Sequence, residues 1–160
     1  MPFTIKLNAD CFNCLDLSAV EIAVESWLQS NKVIDRETQL RFEIDYPRSA
    51  DDPREVSEIP EIRLWFLRLD ARYPWLPLLL DWEGGELARY AAMLVPHQFS
   101  RTEGIQYNPE ALEIFVMRKL FVLGDWLRQQ GLATQSRSRL KFMAQMLGYE
   151  LDEEFFDLIL

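Results

Sequence analysis

Residues 108–131 read NPEALEIFVMRKLFVLGDWLRQQG and predict the longest helix of the chain, over about 109–130. Asn108 is a favoured helix cap, and Pro109 suits the first turn, where the missing amide of proline leaves no hydrogen bond unmade. Gly131 is typical of the residue that follows a helix. Apolar side chains recur at helical spacing between these ends, which predicts that one face points into the core. That face consists of Leu112, Phe115, Val116, Leu120, Leu123, Trp126 and Leu127.

Two shorter helices are predicted after this long one. Ser138 is a candidate cap for a helix that ends at Gly148. Asp152 is a candidate cap for the last helix, and Glu153 and Glu154 follow it where the helix dipole favours negative charge.

The N-terminal part alternates between strand and helix patterns. Apolar and polar residues alternate over 3–7 and again over 40–46, which predicts two strands. Between them, apolar residues at helical spacing from Val20 to Leu28 predict a helix that ends near Asn31.

The middle of the chain leaves two assignments open. Residues 62–73 fit a largely buried helix, although a buried strand gives a similar apolar run, and residues 87–95 are likewise either helix or strand. Residues 96–108 show little periodicity, which indicates an ordered loop. Together these elements predict an α+β fold with a small sheet packed with helices, and the 160 residues predict a single domain over 1–160.

The charge balance argues against two classes of partner. With 17 basic and 26 acidic residues, the chain has a formal net charge of −9, which disfavours binding to nucleic acid or to anionic lipid. A basic stretch at 118–141 precedes an acidic tail at 150–157, and we expect the two to offset one another at the surface. No apolar run has the ~20 residues of a membrane-spanning helix. A cytoplasmic location is therefore expected.

Motifs for cofactors and metals are sparse. The six glycines do not have the spacing of a phosphate-binding loop, so no cofactor is expected. Cys11 and Cys14 form a C-x-x-C pair, which is found in redox sites and zinc sites, but His97 is the only histidine available to complete a metal site. Two half-buried cysteines in a turn is the simpler interpretation.

One group of residues permits an enzymatic alternative. A small hydrolase or transferase would use His97 as a general base, Glu103 to orient it and Ser100 as the nucleophile. Because such a site is defined by geometry, residue types alone do not establish it.

Trp75 and Trp82 lie in a stretch broken by prolines and glycines, YPWLPLLLDWEGG at 73–85. Rigid aromatic side chains on irregular backbone are common at protein interfaces. The alternative is that both rings cover the core.

Several stretches together resemble one family, the chlororespiratory-reduction-six family. They are IRLWF at 62–66 through Asp81-Trp82, GELARYAAMLVPHQF at 85–99, GIQYNPEAL at 104–112, DYPR at 45–48 and the closing residues 138–160. They cover about two thirds of the chain. The cysteine pair lies outside them.

The resemblance implies a non-enzymatic factor that assembles the photosynthetic NAD(P)H dehydrogenase-like complex of cyanobacteria and chloroplasts. Its client would be the iron–sulfur subunit of the hydrophilic arm, which carries two four-iron clusters. The resemblance supplies no functional residues. Candidates for protein binding therefore come from the matched loops and are Trp75, Trp82, His97, Arg101, Glu103 and Tyr107.

Overall fold

A two-stranded parallel sheet organises the N-terminal half of the chain. In the computed structural model, which describes residues 2–29 and 39–160, strand β1 (Phe3–Asn8) pairs with strand β2 (Leu40–Asp45). Phe3 lies opposite Leu40 and Leu7 opposite Ile44, so Ile5, Leu7, Leu40 and Phe42 are buried on the same side of the sheet. The two strands predicted from alternation are confirmed.

Helices make up most of the remaining described residues. They are α1 (Ala9–Asn13), α2 (Ser18–Gln29), α3 (Pro60–Arg72), α4 (Glu86–Leu94), α5 (Pro109–Gln129), α6 (Ala133–Met146) and α7 (Glu153–Ile159). Two 3₁₀ turns, Val56–Glu58 and Leu76–Leu79, lie on either side of α3. A second two-stranded sheet joins β3 (His97–Ser100) to β4 (Gly104–Tyr107). The α+β fold class predicted from the sequence is confirmed.

The described chain forms two compact units. One comprises the described residues of Met1–Leu94 together with Phe99–Ile105, and the other comprises Val95–Gln98 with Gln106–Leu160. The single domain expected from the chain length stays a prediction.

Aromatic side chains form the centre of the first unit. The ring of Trp65 on α3 meets the rings of Phe12 and Phe66 edge to face, with centroids 5.4 Å and 5.0 Å away. Phe42 of β2 makes the same kind of contact with Phe66, at 5.3 Å. Trp65 has no exposed surface, and its indole N–H donates to the carbonyl of Asp16 at 2.7 Å, so its one polar group is satisfied.

The second unit contains the long helix that the sequence predicted. The side chain of Asn108 accepts from the amide of Ala111 and caps α5, as expected. Asp152 caps α7 in the same way through the amide of Phe155, which confirms the predicted last helix. Gly124 of α5 lies where α7 approaches, and a Cβ at this position would be 2.8 Å from the carbonyl oxygen of Ile159.

Four segments either decide an assignment that the sequence left open or correct a prediction. Segments 62–73 and 87–95, left open between helix and strand, belong to the helices α3 and α4. The ordered loop expected at 96–108 was wrong, because most of it is the hairpin β3–β4. Helix α6 begins at Ala133, five residues before the predicted cap Ser138. The helix end predicted near Asn31 lies outside the described residues.

Replacement of Gly124 by alanine tests the close approach of α5 and α7. Alanine normally stabilises a helix interior relative to glycine by about 0.5–1 kcal/mol. Here we expect Gly124→Ala to lower the free energy of unfolding by about 1–3 kcal/mol, because the methyl group meets a backbone carbonyl that cannot turn away. Urea unfolding measures this change. Thr134→Ala, at an exposed site on α6, is the control, and a gain in stability from Gly124→Ala would contradict the packing described.

Candidate functional site

The hairpin β3–β4 brings four of the six candidate residues onto one element. None of the residues in its two strands is buried. His97 and Tyr107 lie at the base of the hairpin, and Arg101 and Glu103 are exposed in the turn at its tip. The hairpin is therefore the most accessible part of the candidate site.

One face of the hairpin is apolar. The rings of His97 and Tyr107 meet edge to face with centroids 5.9 Å apart, which places the two residues on the same face. Nearer the tip, Phe99 and Ile105 occupy corresponding positions of the two strands. Their side chains are 39% and 40% exposed. The sequence analysis did not include these two residues, although the period-two spacing on either side of the 101–103 turn points to them.

The turn at the tip is held by the hydroxyl of Ser100. This oxygen accepts from the amides of Thr102 and Glu103, at 3.3 Å each, and lies 3.1 Å from the hydroxyl of Thr102. Gly104 follows with a φ of +75°, a conformation that favours glycine. The tip therefore has a defined shape although its side chains are exposed.

His97 and Tyr107, at the base of the hairpin, belong to the second unit and make local contacts within it. His97 Nδ1 lies 3.0 Å from the carbonyl oxygen of Val95, and because a carbonyl only accepts, Nδ1 carries the proton. Burial raises the pKa of Tyr107 above its ordinary value, so this phenol stays neutral at physiological pH. An open hollow of about 390 Å³ lies at this base. Its lining consists of Pro96, His97, Gln98, Gln106, Tyr107 and Asn108.

Trp75 and Trp82, the other two candidates, are core residues. Each has only 6% of its surface exposed. The indole N–H of Trp82 donates to the carbonyl of Pro77 at 2.7 Å, and the ring of Trp75 meets that of Tyr73 edge to face. The alternative that both rings cover the core matches this burial. A partner would have to open the first unit to reach them, so we leave both out of the proposed surface.

Helix α4, which follows Trp82 in the chain, binds the outer edge of β2 through two side chains. The carboxylate of Glu86 accepts from the amide of Phe42 at 3.3 Å, and the guanidinium of Arg89 donates to the carbonyl of Phe42 at 2.7 Å. Glu86 and Arg89 also pair with each other at 3.4 Å. Side chains from the first turn of α4 therefore satisfy the amide and the carbonyl of Phe42, which a neighbouring strand would otherwise bind.

Asp81 stabilises the turn at 81–85 that precedes α4. Its carboxylate accepts from the amide of Gly84 at 2.9 Å and forms an ion pair with Arg41 of β2. Burial by itself would raise the pKa of Asp81, but the Gly84 amide and the Arg41 guanidinium outweigh it, so the pKa lies below the ordinary value. A Cβ at position 84 would lie 2.5 Å from the Asp81 carboxylate, so a side chain there would displace that carboxylate.

The residues of the enzymatic alternative have structural roles in the described hairpin. The hydroxyl of Ser100 organises the turn, and Nδ1 of His97 is bound to a backbone carbonyl. A catalytic triad uses that same ring nitrogen to bind the orienting carboxylate. The observed contacts therefore do not favour an acyl-transfer arrangement.

The cysteine pair lies at the other end of the chain, on and after α1. The thiol of Cys11 lies 3.4 Å from the side-chain oxygen of Asn8, and Cys14 is exposed. Within residues 2–29 and 39–160, no three histidine, cysteine, aspartate or glutamate side chains lie close enough to hold a metal ion.

The basic and acidic segments of the second unit pair as predicted. Arg137 of α6 binds Glu153 at 3.0 Å and Asp157 at 2.7 Å, and Lys141 also pairs with Glu153. These acids on α7 offset part of the basic charge that would otherwise attract phosphate. Among the described residues, none of the helices is both long and apolar enough to span a bilayer.

Taken together, the fold and site describe an α+β protein with an exposed apolar hairpin. The sequence profile of the chlororespiratory reduction 6 family matches residues 7–158, nearly the whole chain. The chain therefore belongs to the chlororespiratory reduction 6 family, whose members are chloroplast and cyanobacterial proteins. Membership implies a role in assembly of the NAD(P)H dehydrogenase-like complex. No solved structure matches the chain.

The Asp81 anchor predicts a specific pH dependence of stability. Because its pKa is lowered in the folded protein, the anchor stabilises the fold above the ordinary pKa of an aspartate and loses this effect as the pH falls through the folded value. We expect Asp81→Asn to lower the free energy of unfolding at pH 7 by about 1–3 kcal/mol. The difference from wild type should shrink below about pH 4.

Unfolding in urea at several pH values measures this difference. Asp51→Asn, at an exposed position, is the matched control and should behave as wild type. A deficit of Asp81→Asn that stays constant down to pH 2 would contradict the ionised anchor.

Proposed function

We propose that this protein is a non-enzymatic assembly factor that binds the iron–sulfur subunit of the hydrophilic arm of the NAD(P)H dehydrogenase-like complex. Family membership over residues 7–158 is the observation that carries the proposal. The family is one of assembly factors and is generally non-enzymatic. Such a factor works through surface complementarity, so the question for the structure is which surface is suited to a client.

The apolar hairpin face is the surface that we assign to the client. The strand residues of the hairpin are half-buried or exposed, so its apolar side chains are accessible to a client. Contact with a client would bury Phe99 and Ile105, which gives a gain of roughly 25 cal/mol for each Å² of apolar area.

Charged residues at the tip would give the contact its specificity. Arg101 and Glu103 are exposed on either side of Thr102, so the tip offers one charge of each sign over three residues. Arginine is frequent among the residues that dominate interface energies, because its planar group forms paired hydrogen bonds with carboxylates. We expect Arg101 to be the larger of the two charged contributions.

A reducing compartment fits the free thiols of the chain. Cys11 and Cys14 are both unpaired in disulfides, and Cys14 is exposed. We place the protein in the cytoplasm of cyanobacteria or the equivalent stroma of chloroplasts, where the hydrophilic arm of the complex is built.

Substitutions on the hairpin test the proposed surface. We expect Phe99→Ser and Arg101→Ala each to weaken binding to the purified iron–sulfur subunit by at least tenfold, a size typical of residues at the centre of an interface. Isothermal titration calorimetry measures the affinity, and circular dichroism checks that the fold is retained.

Two exposed residues outside the hairpin provide matched controls. Phe142 of α6 is 54% exposed, and Arg68 lies on the exposed side of α3. Phe142→Ser and Arg68→Ala should bind the subunit as wild type does. If the hairpin variants bind with wild-type affinity, the surface is assigned wrongly. If the wild-type protein does not bind the subunit at all, the proposed client is wrong.

A further inference from the structure

Strand β1 forms backbone hydrogen bonds with β2 along one edge, and its other edge faces away from β2. The amide of Phe3 donates to the carbonyl of Gln39 at 2.7 Å, so the backbone groups of Phe3 point toward β2. Backbone groups alternate in direction along a strand, and with the parallel register the groups of Ile5 and Leu7 point the same way. The N–H and C=O groups of Thr4 and Lys6 therefore point to the opposite edge.

At the outer edge of β2, backbone groups that point away from β1 have hydrogen-bond partners. The carbonyl of Leu40 accepts from the amide of Asp81 at 2.9 Å, and Leu40 forms a parallel bridge with Leu80. Phe42 is the next residue whose backbone groups point outward, and its amide and carbonyl are bound by Glu86 and Arg89. Each of these two outward-facing residues of β2 is therefore bonded.

The outer edge of β1 has no such cover from the described residues. Within residues 2–29 and 39–160, β2 is the only strand paired with β1. Thr4 and Lys6 are both exposed, and together they offer two amide donors and two carbonyl acceptors in a row. A parallel sheet of only two strands is unusual, because parallel sheets are normally larger and buried. In the described part of the chain, the position of a third strand at this edge is unoccupied.

We propose that an extended segment of the client adds to the outer edge of β1 as a third strand and places an acidic side chain beside Lys6. The inference rests on the proposed function, because it takes the occupant to be the iron–sulfur subunit. Strand addition to an exposed sheet edge is a general mode of peptide recognition, in which main-chain hydrogen bonds supply affinity and alternate side chains supply specificity.

Charge complementarity defines the chemistry of the added strand. The side chain of Lys6 is 80% exposed and lies 3.8 Å from Glu43 on the β2 side. An acidic residue on the opposite side would flank the ammonium with a second carboxylate, and opposite charges on neighbouring strands stabilise a sheet. Ile5 and Leu7 are buried on the other face, so the flanking residues of the client segment should be apolar.

A second copy of this chain is a poorer occupant of the same edge. Pro2 has no amide to donate, so it shortens the stretch that two copies of β1 could pair. Each copy would also bring its own Lys6, and lysine on an edge strand is a common device against self-association. The edge is therefore better suited to an acidic segment of another protein than to itself.

Hydrogen exchange of individual amides tests the strand addition directly. In the free protein, the amides of Thr4 and Lys6 should exchange rapidly, whereas those of Ile5 and Leu7 should be protected by β2. On addition of the purified iron–sulfur subunit, Thr4 and Lys6 should become at least tenfold slower. Protection of both amides in the free monomer, or rapid exchange of both in the complex, would overturn the inference.

A proline substitution tests the same bond through affinity. Lys6→Pro removes an outward amide, and proline is tolerated on edge strands where the amide faces solvent. Lys6→Ala removes the charge but keeps the amide. We expect Lys6→Pro to bind the subunit about fivefold more weakly than Lys6→Ala, the effect of one hydrogen bond, and Lys6→Ala to bind more weakly than wild type.

The outcomes separate this inference from the proposed function. Equal affinities of Lys6→Pro and Lys6→Ala, with binding by wild type intact, would overturn the added strand and leave the assembly role standing. Lack of binding by the wild-type protein would overturn both. A dimer of the free protein that Lys6→Pro abolishes in analytical ultracentrifugation would show that a second copy is the occupant instead.

Discussion

The hydrogen bonds that Glu86 and Arg89 of α4 make with the amide and the carbonyl of Phe42 are the constraint around which the N-terminal unit is organised. A two-stranded parallel sheet leaves two rows of unsatisfied backbone groups, and each such group costs free energy when it is buried without a partner. The side chains of Glu86 and Arg89 satisfy the amide and the carbonyl of Phe42, and the amide of Asp81 satisfies the carbonyl of Leu40. The turn at 81–85 and the start of α4 are thereby fixed against the sheet, which places the aromatic core beneath it.

This arrangement explains why the tryptophans of the 73–85 stretch are buried. Trp82 follows directly after Leu80 and Asp81, which bind the edge of β2, and its side chain is buried in the core. Its indole N–H donates to the carbonyl of Pro77. Accessible apolar side chains lie elsewhere, and they include Phe99 and Ile105 on one face of the hairpin. A protein whose buried groups are satisfied and whose exposed hairpin is apolar on one face is suited to binding, and membership of an assembly-factor family agrees with that role.

The sequence predicted those elements whose signals are local and long. Helix α5 has a cap, a proline at its first position and an apolar repeat over 21 residues, so periodicity decides it. The hairpin was missed because each of its strands has four residues, too few for alternation to stand out. Helix α6 was predicted to start late because its N-cap position, Leu132, offers no capping side chain.

The contacts that shape the site depend on tertiary placement, so sequence reasoning did not find them. Glu86 and Arg89 have the spacing of an ordinary surface pair on a helix, and only their position beside β2 shows that they bind a peptide group. Trp75 and Trp82 were ambiguous for the same reason, since an aromatic residue on irregular backbone has no periodicity to show which side faces the core. Residue types alone, in contrast, pointed to His97, Arg101, Glu103 and Tyr107, and their part in binding stays a prediction.

We propose above that this protein assembles the complex by binding the iron–sulfur subunit of the hydrophilic arm. Affinity purification of the tagged chain from the cells that make it, followed by identification of the proteins that co-purify, tests that claim most directly. The account predicts that the iron–sulfur subunit is enriched without the completed complex. Repeated recovery of the chain with no arm subunit, from cells in which assembly is under way, would contradict it.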